Sequence, residues 1–206
     1  SHNHYDHLDV ASIAKIGNKP TWMVPLGNAR YLADVGVTNV VELDWWQSHI
    51  AGPLRFTATP VQHWSARGLN DRFDALWSGW AMDSGQTRVY FAGDTGYNRF
   101  DFKETGERLG PFDLAMIPIG AYAPRWFMKS MHVNPAEAVR IHNDVGSRFS
   151  LAMHWGTFPL TAEAPGDPSK ALTKALEAAQ VEPDRFLAIP IGASQAWSPA
   201  SSMRSS

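Results

Sequence analysis

The chain has 206 residues, of which 44% are hydrophobic and 18% charged, and its formal net charge is −2. This length and composition are typical of one globular domain, and the scattered basic residues exclude a nucleic-acid-binding surface. The absence of cysteine excludes disulfides, thiolate metal sites and a cysteine nucleophile. No apolar run reaches the roughly 18 residues that a membrane-spanning helix needs. We therefore expect a single domain over residues 1–206 with no nucleic-acid partner.

The first seven residues place three imidazoles and a carboxylate on one short segment, at His2, His4, Asp6 and His7. Imidazole nitrogens and carboxylate oxygens are donors that Zn²⁺ prefers, at roughly 2.0–2.2 Å. In an extended segment His2 and His4 would point the same way. Asp6 and His7 are expected on the other side, where they could hold a second ion. A histidine tag is the alternative, but a tag does not interpose an aspartate. The pattern predicts the metal loop of a two-metal hydrolase.

The start of the chain predicts an upstream segment, and its end predicts a flexible tail. A ligand loop normally follows a supporting strand, because a free terminus is too mobile to hold ligands in place. Here the loop starts the chain, so we expect the domain to be N-terminally incomplete and an upstream segment to supply its first strands. At the other end, the serine-rich residues 198–206 predict a flexible tail.

Apolar spacing predicts alternating helices and strands along the rest of the chain, which favours a layered α/β fold. Helices are predicted over 8–15, 27–33, 134–145 and 168–180, the third from an asparagine cap, a proline at the first helical position and a closing glycine. A flexible loop is predicted over 164–167. Strands are predicted over 21–24, 40–43, 54–61, 76–82, 88–92, 114–119, 149–153 and 186–190, with a hairpin turn at 83–86.

Three further candidate ligands each follow a predicted strand: His63, Asp94 and His154. Functional groups gather at strand ends in α/β folds, because a rigid sheet positions the loops there. A structural role would be more frequent for either histidine alone, but the metal loop reverses that preference. We predict that His63 joins His2 and His4 around one metal. The second metal would bind Asp6, His7 and His154, and Asp94 would bridge two ions about 3.5–4 Å apart.

These residues resemble, in order and spacing, the ligands of the metallo-β-lactamase superfamily: His-x-His-x-Asp-His, a lone His, Gly-Asp-Thr-Gly and a final His. Further segments resemble the family of N-acylphosphatidylethanolamine-hydrolysing phospholipases D, in a bacterial-type form. These segments are 1–9, 42–46, 91–97, 110–114, 117–121, 124–129, 132–133, 137–142 and 154–158. The resemblance implies an αββα sandwich whose metal loop follows several strands that this chain lacks. One sheet is then expected to be incomplete, with apolar surface open to solvent.

The resemblance also implies a reaction: hydrolysis of a phosphodiester bond by a hydroxide generated between two Zn²⁺ ions, without a covalent intermediate. Mn²⁺ and Fe²⁺ share the same donors and stay open as alternatives. Asp6, besides ligating, would orient or deprotonate the water. His132 is expected to contact the substrate or leaving group; the alternative is a histidine that merely flanks a helix.

Substrate contacts are predicted from aromatic residues. Arg125 next to Trp126 and Phe127 suits a phosphate head with acyl chains, and the alternative is an arginine that packs over its own aromatic neighbours. Trp46 would line the lipid entry. The nine tryptophans favour either core packing or an aromatic rim. The resemblance implies a phospholipid substrate, and with a lipid substrate peripheral membrane contact is expected.

Two other functions stay open. The first is hydrolysis of a small soluble ester, lactone or phosphate at the same metal pair. The second is a metal-binding fragment without activity, because half of one sheet is expected to be missing. His49 and His142 are assigned structural roles, and the sequence predicts neither an oligomeric state nor a compartment.

Overall fold

The computed structural model describes residues 1–198, which form two β-sheets with helices on their outer faces. The strands are β1 (Trp22–Pro25), β2 (Val40–Leu43), β3 (Ser48–Ala51), β4 (Leu54–Thr59), β5 (Gly79–Asp83), β6 (Arg88–Phe91), β7 (Leu114–Pro118), β8 (Phe149–Met153) and β9 (Phe186–Leu187). The helices are α1 (Val10–Ile16), α2 (Ala29–Ala33), α3 (Asp101–Leu109), α4 (Arg125–Met128), α5 (Pro135–Asp144) and α6 (Asp167–Ala178), with a 3-10 turn at Pro183–Arg185.

The larger sheet has seven strands in the order β3 to β9 and mixes both pairing directions. Strands β3 to β6 pair antiparallel, and β6 to β9 pair parallel. Strands β4, β6, β7 and β8 therefore run in one direction and end at the same edge of the sheet. The smaller sheet is the parallel pair β1–β2.

Two apolar clusters define the layers. One packs α1 and α2 against the small sheet and contains Ile13, Val24 and Leu32. The other packs α3, α5 and α6 against one face of the large sheet, with Tyr90 and Ile117 at its centre. The order helix, sheet, sheet, helix is the predicted αββα arrangement.

An open groove separates β1 from the opposite face of the large sheet. Half-buried apolar side chains from both sheets line it, including Met23, Phe56 and Trp80. The small sheet has two strands in the described part of the chain. That an upstream segment completes this sheet stays a prediction.

Most predicted elements are confirmed, with ends shifted by a few residues. Helix α5 begins as expected: Asn134 accepts a hydrogen bond from the Glu137 amide, Glu137 accepts one from the Asn134 amide, and Pro135 takes the first helical position. The hairpin β5–β6 is also confirmed, but β5 starts at Gly79 instead of residue 76. The Ser78 amide donates to the Ser1 carbonyl instead of joining the ladder.

Three elements were not predicted: β3, α3 and α4. The first is an edge strand and the last is a single turn. Residues 164–166 lie in the loop that leads into α6, whereas Asp167, also predicted as loop, is the first residue of that helix. The predicted tail at 198–206 lies, apart from Ser198, outside the described residues. Within residues 1–198, every helix is too short or too polar to span a bilayer.

Candidate metal centre

The metal loop is a compact turn that leads directly into α1. The His4 carbonyl accepts hydrogen bonds from the amides of His7 and Leu8. Asp9 then caps α1 by accepting from the amides of Ala11 and Ser12. The start of the loop is also fixed, because the Ser1 carbonyl is bonded to the chain before β5. These bonds fold residues 2–7 so that their polar side chains converge.

The remaining candidate ligands come from one edge of the large sheet. His63 follows β4, Asp94 follows β6 and His154 follows β8, and these three strands end at the same edge. Rigid strands thus deliver three ligands from distant parts of the sequence to the metal loop. The expectation that each follows a strand is confirmed.

The seven predicted ligands form two groups. The donor atoms of His2, His4 and His63 lie within 4.8 Å of one another. Those of the second group, which contains the other four residues, also lie within 4.8 Å of one another: Asp6, His7, Asp94 and His154. The sequence-based prediction divided the ligands in the same way except for Asp94, which it assigned to both ions; that these residues bind metal ions stays a prediction.

Asp94 lies between the two groups. Its Oδ2 atom is 3.1 Å from His7 Nε2 and 3.3 Å from His154 Nε2 in its own group. The same oxygen is 3.9 Å from His2 Nε2 in the other group. A carboxylate in this position is suited to bridging two cations.

The chemistry of the cluster fits divalent metal ions. Among the described residues, buried His4 Nε2 and Asp94 Oδ1 have no hydrogen-bond partner. An unsatisfied buried polar atom costs roughly 1–3 kcal/mol, so an ion that accepts these lone pairs would remove a penalty. The donors are nitrogen and oxygen only, a set that suits zinc, manganese or iron.

His2, His63 and Asp6 have the protonation states that metal ligands require. Burial lowers the pKa of His63 to about 3, and burial together with the His63 and His7 rings lowers the pKa of His2 far below its usual range. Both rings are therefore neutral at pH 7. Hydrogen bonds from His154 and His7 hold the pKa of Asp6 well below its usual range, so Asp6 is ionised.

In the second ligand group, His7 is protonated and Asp94 is ionised. Burial favours the neutral form of His7, but the carboxylates of Asp6 and Asp94 outweigh it and raise the pKa of His7 to about 9. Burial disfavours ionisation of Asp94, but His7 and His154 outweigh it and keep the pKa of Asp94 far below its usual range. A metal ion binding here would displace the proton of His7.

A backbone carbonyl orients His63. Its Nδ1 lies 3.0 Å from the Met131 carbonyl oxygen, which can only accept, so Nδ1 carries the proton and Nε2 is left free for a metal. Such second contacts fix the tautomer and direction of a ligating ring. The segment before α5 therefore supports the metal centre.

His132 lies beside the cluster. Its ring centroid is 5.3 Å from that of His63 and 5.7 Å from that of His154. Its donor atom also lies within 4.8 Å of those of His63 and Asp94, although no ligand role was predicted for it. Burial lowers the pKa of His132 to about 4, so the ring is neutral and able to accept a proton.

Arg125 is held by its surroundings. Its Nη2 donates to Glu137 Oε2 at 2.7 Å, and its Nη1 donates to the His132 carbonyl at 2.8 Å. These contacts fix the segment that carries His132. That Arg125 binds a phosphate stays a prediction, since two of its donors already have protein partners.

The other predicted substrate residues lie in different places. Trp126 and Phe127 are on α4 with 86% and 56% of their surface exposed, so they are free to contact a ligand or a bilayer. Trp46 lies outside the metal cluster, and the Arg108 guanidinium stacks 4.3 Å above its ring centroid. Its role at a lipid entry stays a prediction.

A groove opens beside the second ligand group. It starts at Asp6, His7 and His154 and continues along the mostly apolar segment 155–165, which includes exposed Phe158 and Leu160. Glu163 fixes this segment by accepting hydrogen bonds from the amides of Tyr122 and Ala123. Sequence reasoning missed this wall, because residues 158–165 have no helical or strand periodicity.

Gly120 forms the floor of the groove next to His154. A side chain at this position would collide with the carbonyl oxygen of His154. His154 itself has a φ of 56°, a left-handed conformation that is uncommon outside glycine. The two backbones can pack in this way only because Gly120 has no Cβ.

Comparison with known proteins agrees with the fold. The model of the β-lactamase superfamily domain matches residues 1–155. The chain belongs to the β-lactamase superfamily. Within this superfamily it is 43% identical over 93% of its length to an N-acyl-phosphatidylethanolamine-hydrolyzing phospholipase D of Caenorhabditis elegans, of which it covers 58%.

Two further relatives are also named as hydrolysing enzymes. A mitochondrial N-acyl-phosphatidylethanolamine-hydrolyzing phospholipase D of Saccharomyces cerevisiae is 39% identical over 84% of the chain and is covered to 38%. A metal-dependent hydrolase of Pyrobaculum neutrophilum is 29% identical over 88% of the chain and is covered to 74%. The chain spans about half the length of the phospholipases D that it matches.

Solved structures of other proteins share the fold. A metallo hydrolase from Ignicoccus hospitalis superposes with a TM-score of 0.66 at 19% identity, covering 91% of this chain and 73% of that one. A diiron β-hydroxylase from Streptomyces venezuelae superposes with a TM-score of 0.70 at 20% identity, covering 92% of this chain and 42% of that one. At these identities the likeness extends to the fold alone.

Proposed function

We propose that this chain is the core of a dinuclear metal-dependent phosphodiesterase of phospholipase D type, acting on N-acylated phosphatidylethanolamine. The observation that carries the proposal is the pair of ligand groups that meet at Asp94. Relatives at 43% and 39% identity are named for hydrolysis of this lipid, which supports the substrate class. Zinc is the proposed metal because five histidines and two aspartates form the donor set.

Each ligand group has a distinct task in this proposal. His2, His4 and His63 would hold one ion with neutral imidazoles, and the mixed group of His7, His154 and the two aspartates would hold the other. When bound, two such ions supply a nucleophilic water at neutral pH and offset charge on the phosphodiester. Asp94 positions both groups relative to each other.

Asp6 and His132 are the proposed acid–base groups of the site. Asp6 is ionised and 40% of its side chain is exposed towards the groove, so it would orient the attacking water and accept its proton. His132 is neutral and buried beside the cluster, so it would hydrogen-bond the substrate or the leaving alcohol. General acid–base groups of this kind contribute typically 10²–10⁴-fold in rate.

The groove provides a place for lipid chains. It joins the metal ligands to Phe158 and Leu160, whose surfaces are 70% and 68% exposed. Trp126 and Phe127 add a second exposed aromatic surface on α4. Trp and Phe at such positions favour a membrane interface, which would allow the enzyme to take its substrate from a bilayer.

The direct test is hydrolysis of N-acylated phosphatidylethanolamine by the purified protein loaded with zinc. We expect phosphatidic acid and an N-acyl ethanolamine in equal amounts, with chelation abolishing both. Assays of an aryl phosphodiester, a lactone and an ester run alongside. Turnover of these alone would favour a soluble substrate, and full zinc occupancy without any turnover would contradict an enzymatic function.

A further inference from the structure

The two ends of the metal loop are joined by a single side chain from outside it. Arg67 Nη1 donates hydrogen bonds to the Asn3 carbonyl at 2.9 Å and to the Leu8 carbonyl at 2.8 Å. These two carbonyls flank the segment that carries His4, Asp6 and His7. One guanidinium therefore fixes the distance between the start and the end of the ligand-bearing turn.

A third contact holds the middle of the loop. The Arg67 guanidinium carbon lies 4.0 Å from the centroid of the Tyr5 ring, and the Tyr5 hydroxyl donates back to the Arg67 carbonyl at 3.0 Å. Tyr5 is 67% exposed, so packing against a core does not hold it in place. Arg67 thus contacts the loop at its start, middle and end.

Arg67 is itself held in position. The Asp71 carboxylate accepts from the backbone amides of Arg67 at 2.9 Å and Gly68 at 2.8 Å. The same carboxylate accepts from the Tyr31 hydroxyl at 3.4 Å, and buried Asn3 donates to that hydroxyl at 3.3 Å. The support therefore returns to the metal loop through a closed set of contacts.

We infer that Arg67 is a positioning residue that holds residues 3–8 in the metal-binding conformation and thereby sets the affinity of the metal centre. This inference rests on the proposed metal centre. The guanidinium suits the task because its planar group of donors keeps a fixed geometry, whereas a lysine ammonium is a single flexible point. A ligand set held before the metal arrives avoids the entropy cost of ordering the turn on binding.

The test is zinc affinity, which needs no substrate. Wild type, Arg67→Gln, Arg67→Lys and Arg99→Gln are titrated with zinc against a chelating dye, and bound zinc is counted by mass spectrometry. Arg99 is the matched control, because it also stacks on an aromatic ring, that of Phe100, on the exposed surface. Circular dichroism of each metal-free protein verifies folding.

We expect wild type and Arg99→Gln each to bind two zinc ions, with the same affinities in both proteins. The Arg99 side chain stacks on an exposed ring instead of contacting the metal loop. Arg67→Gln should bind zinc about 10–100-fold more weakly, and Arg67→Lys should fall in between. Should Arg67→Gln fail to fold, the Lys variant decides in its place.

Wild-type affinity in folded Arg67→Gln or Arg67→Lys would overturn the inference, as would a loss of stability with unchanged zinc affinity. Failure of the proposed metal centre has a different signature. In that case the wild-type protein itself would not bind two zinc ions, whatever the result at Arg67.

Discussion

Asp94 Oδ2 lies 3.1 Å from His7 Nε2 in a pocket where the aspartate is only 3% exposed. The contact joins the metal loop to the end of β6. In the metal-free protein the raised pKa of His7 leaves it protonated, so the buried carboxylate has a charged partner. Metal binding would exchange that proton for an ion.

Replacement of Asp94 by asparagine should disrupt both ligand groups. The change keeps the side-chain size but removes the charge that faces both of them, so we expect loss of at least one metal ion per chain and activity lower by at least ~100-fold. Metal content by mass spectrometry checks this. Asp113→Asn, at a second buried aspartate that lies just before β7 on the opposite edge of the large sheet, is the control, and two retained ions in Asp94→Asn would contradict a bridging role.

His132→Gln separates catalysis from metal binding. If His132 contacts the substrate, kcat should fall about 10²–10⁴-fold while two metal ions remain bound. The measurement pairs kcat with metal content. Loss of an ion would instead assign His132 as a ligand together with His63 and Asp94, whose donor atoms are close enough for that role.

Arg125→Gln tests whether this arginine serves the substrate or the fold. Its bonds to Glu137 and to the His132 carbonyl predict a lower kcat with nearly unchanged KM, because the substitution would displace His132. A Lys variant should recover little, since one ammonium cannot make both contacts in the same geometry. A raised KM with unchanged kcat would support phosphate binding.

Trp126 and Phe127 should determine binding to vesicles. Replacing both by serine removes two exposed aromatic side chains, which we expect to weaken sedimentation with phospholipid vesicles by about 10-fold or more, at about 1.4 kcal/mol for each tenfold change. Hydrolysis of a water-soluble aryl phosphodiester should not change. Ile50→Ser, an exposed residue on edge strand β3, is the control; equal losses in both variants would argue against a specific surface.

His142 should make the fold sensitive to acid. Burial lowers the pKa of His142 to about 4, below its unfolded value of about 6.5, so the unfolded chain binds the extra proton first. Its contribution is fully present above the unfolded pKa and is lost as the pH falls towards 4, at a cost of about 2 kcal/mol between pH 7 and pH 5.

Urea unfolding in EDTA at both pH values measures this. His142→Gln should flatten the difference by about that amount, whatever its effect at pH 7. An unchanged pH dependence would show that the buried ring, which lies 2.7 Å from Ser150 Oγ, is protonated in the folded state.

Sequence alone was sufficient for the features that depend on local pattern. His63, Asp94 and His154 could be predicted as candidate site residues because each follows an apolar strand and the metal loop requires further ligands. The helix signals around Asn134 and Pro135 were unambiguous. Helix α3 was missed because Phe102 and Thr105 alone form its buried face, which is too short an apolar pattern to indicate a helix. A glycine among its charged residues also disfavours a helix. Edge strand β3 was missed because its side chains are exposed or half-buried instead of alternating with core positions.

Long-range pairing limited the prediction elsewhere. Arg125 and Glu137 are twelve residues apart, and their contact depends on how α4 packs against the start of α5. Arg67 is about sixty residues from the metal loop, so nothing near it in sequence indicates which carbonyls it binds. Such pairings become visible only once the sheet has brought the segments together.

The contact between Gly120 and the His154 carbonyl has a consequence for engineering. Even a methyl group at position 120 would push on the backbone of a ligand, so the position tolerates no other amino acid while the site works. A randomised library at residue 120, selected for metal retention, should return glycine alone. The groove wall at Phe158 and Leu160 is free of that constraint, so substitutions there are expected to alter the range of substrates without disturbing the proposed metal ligands.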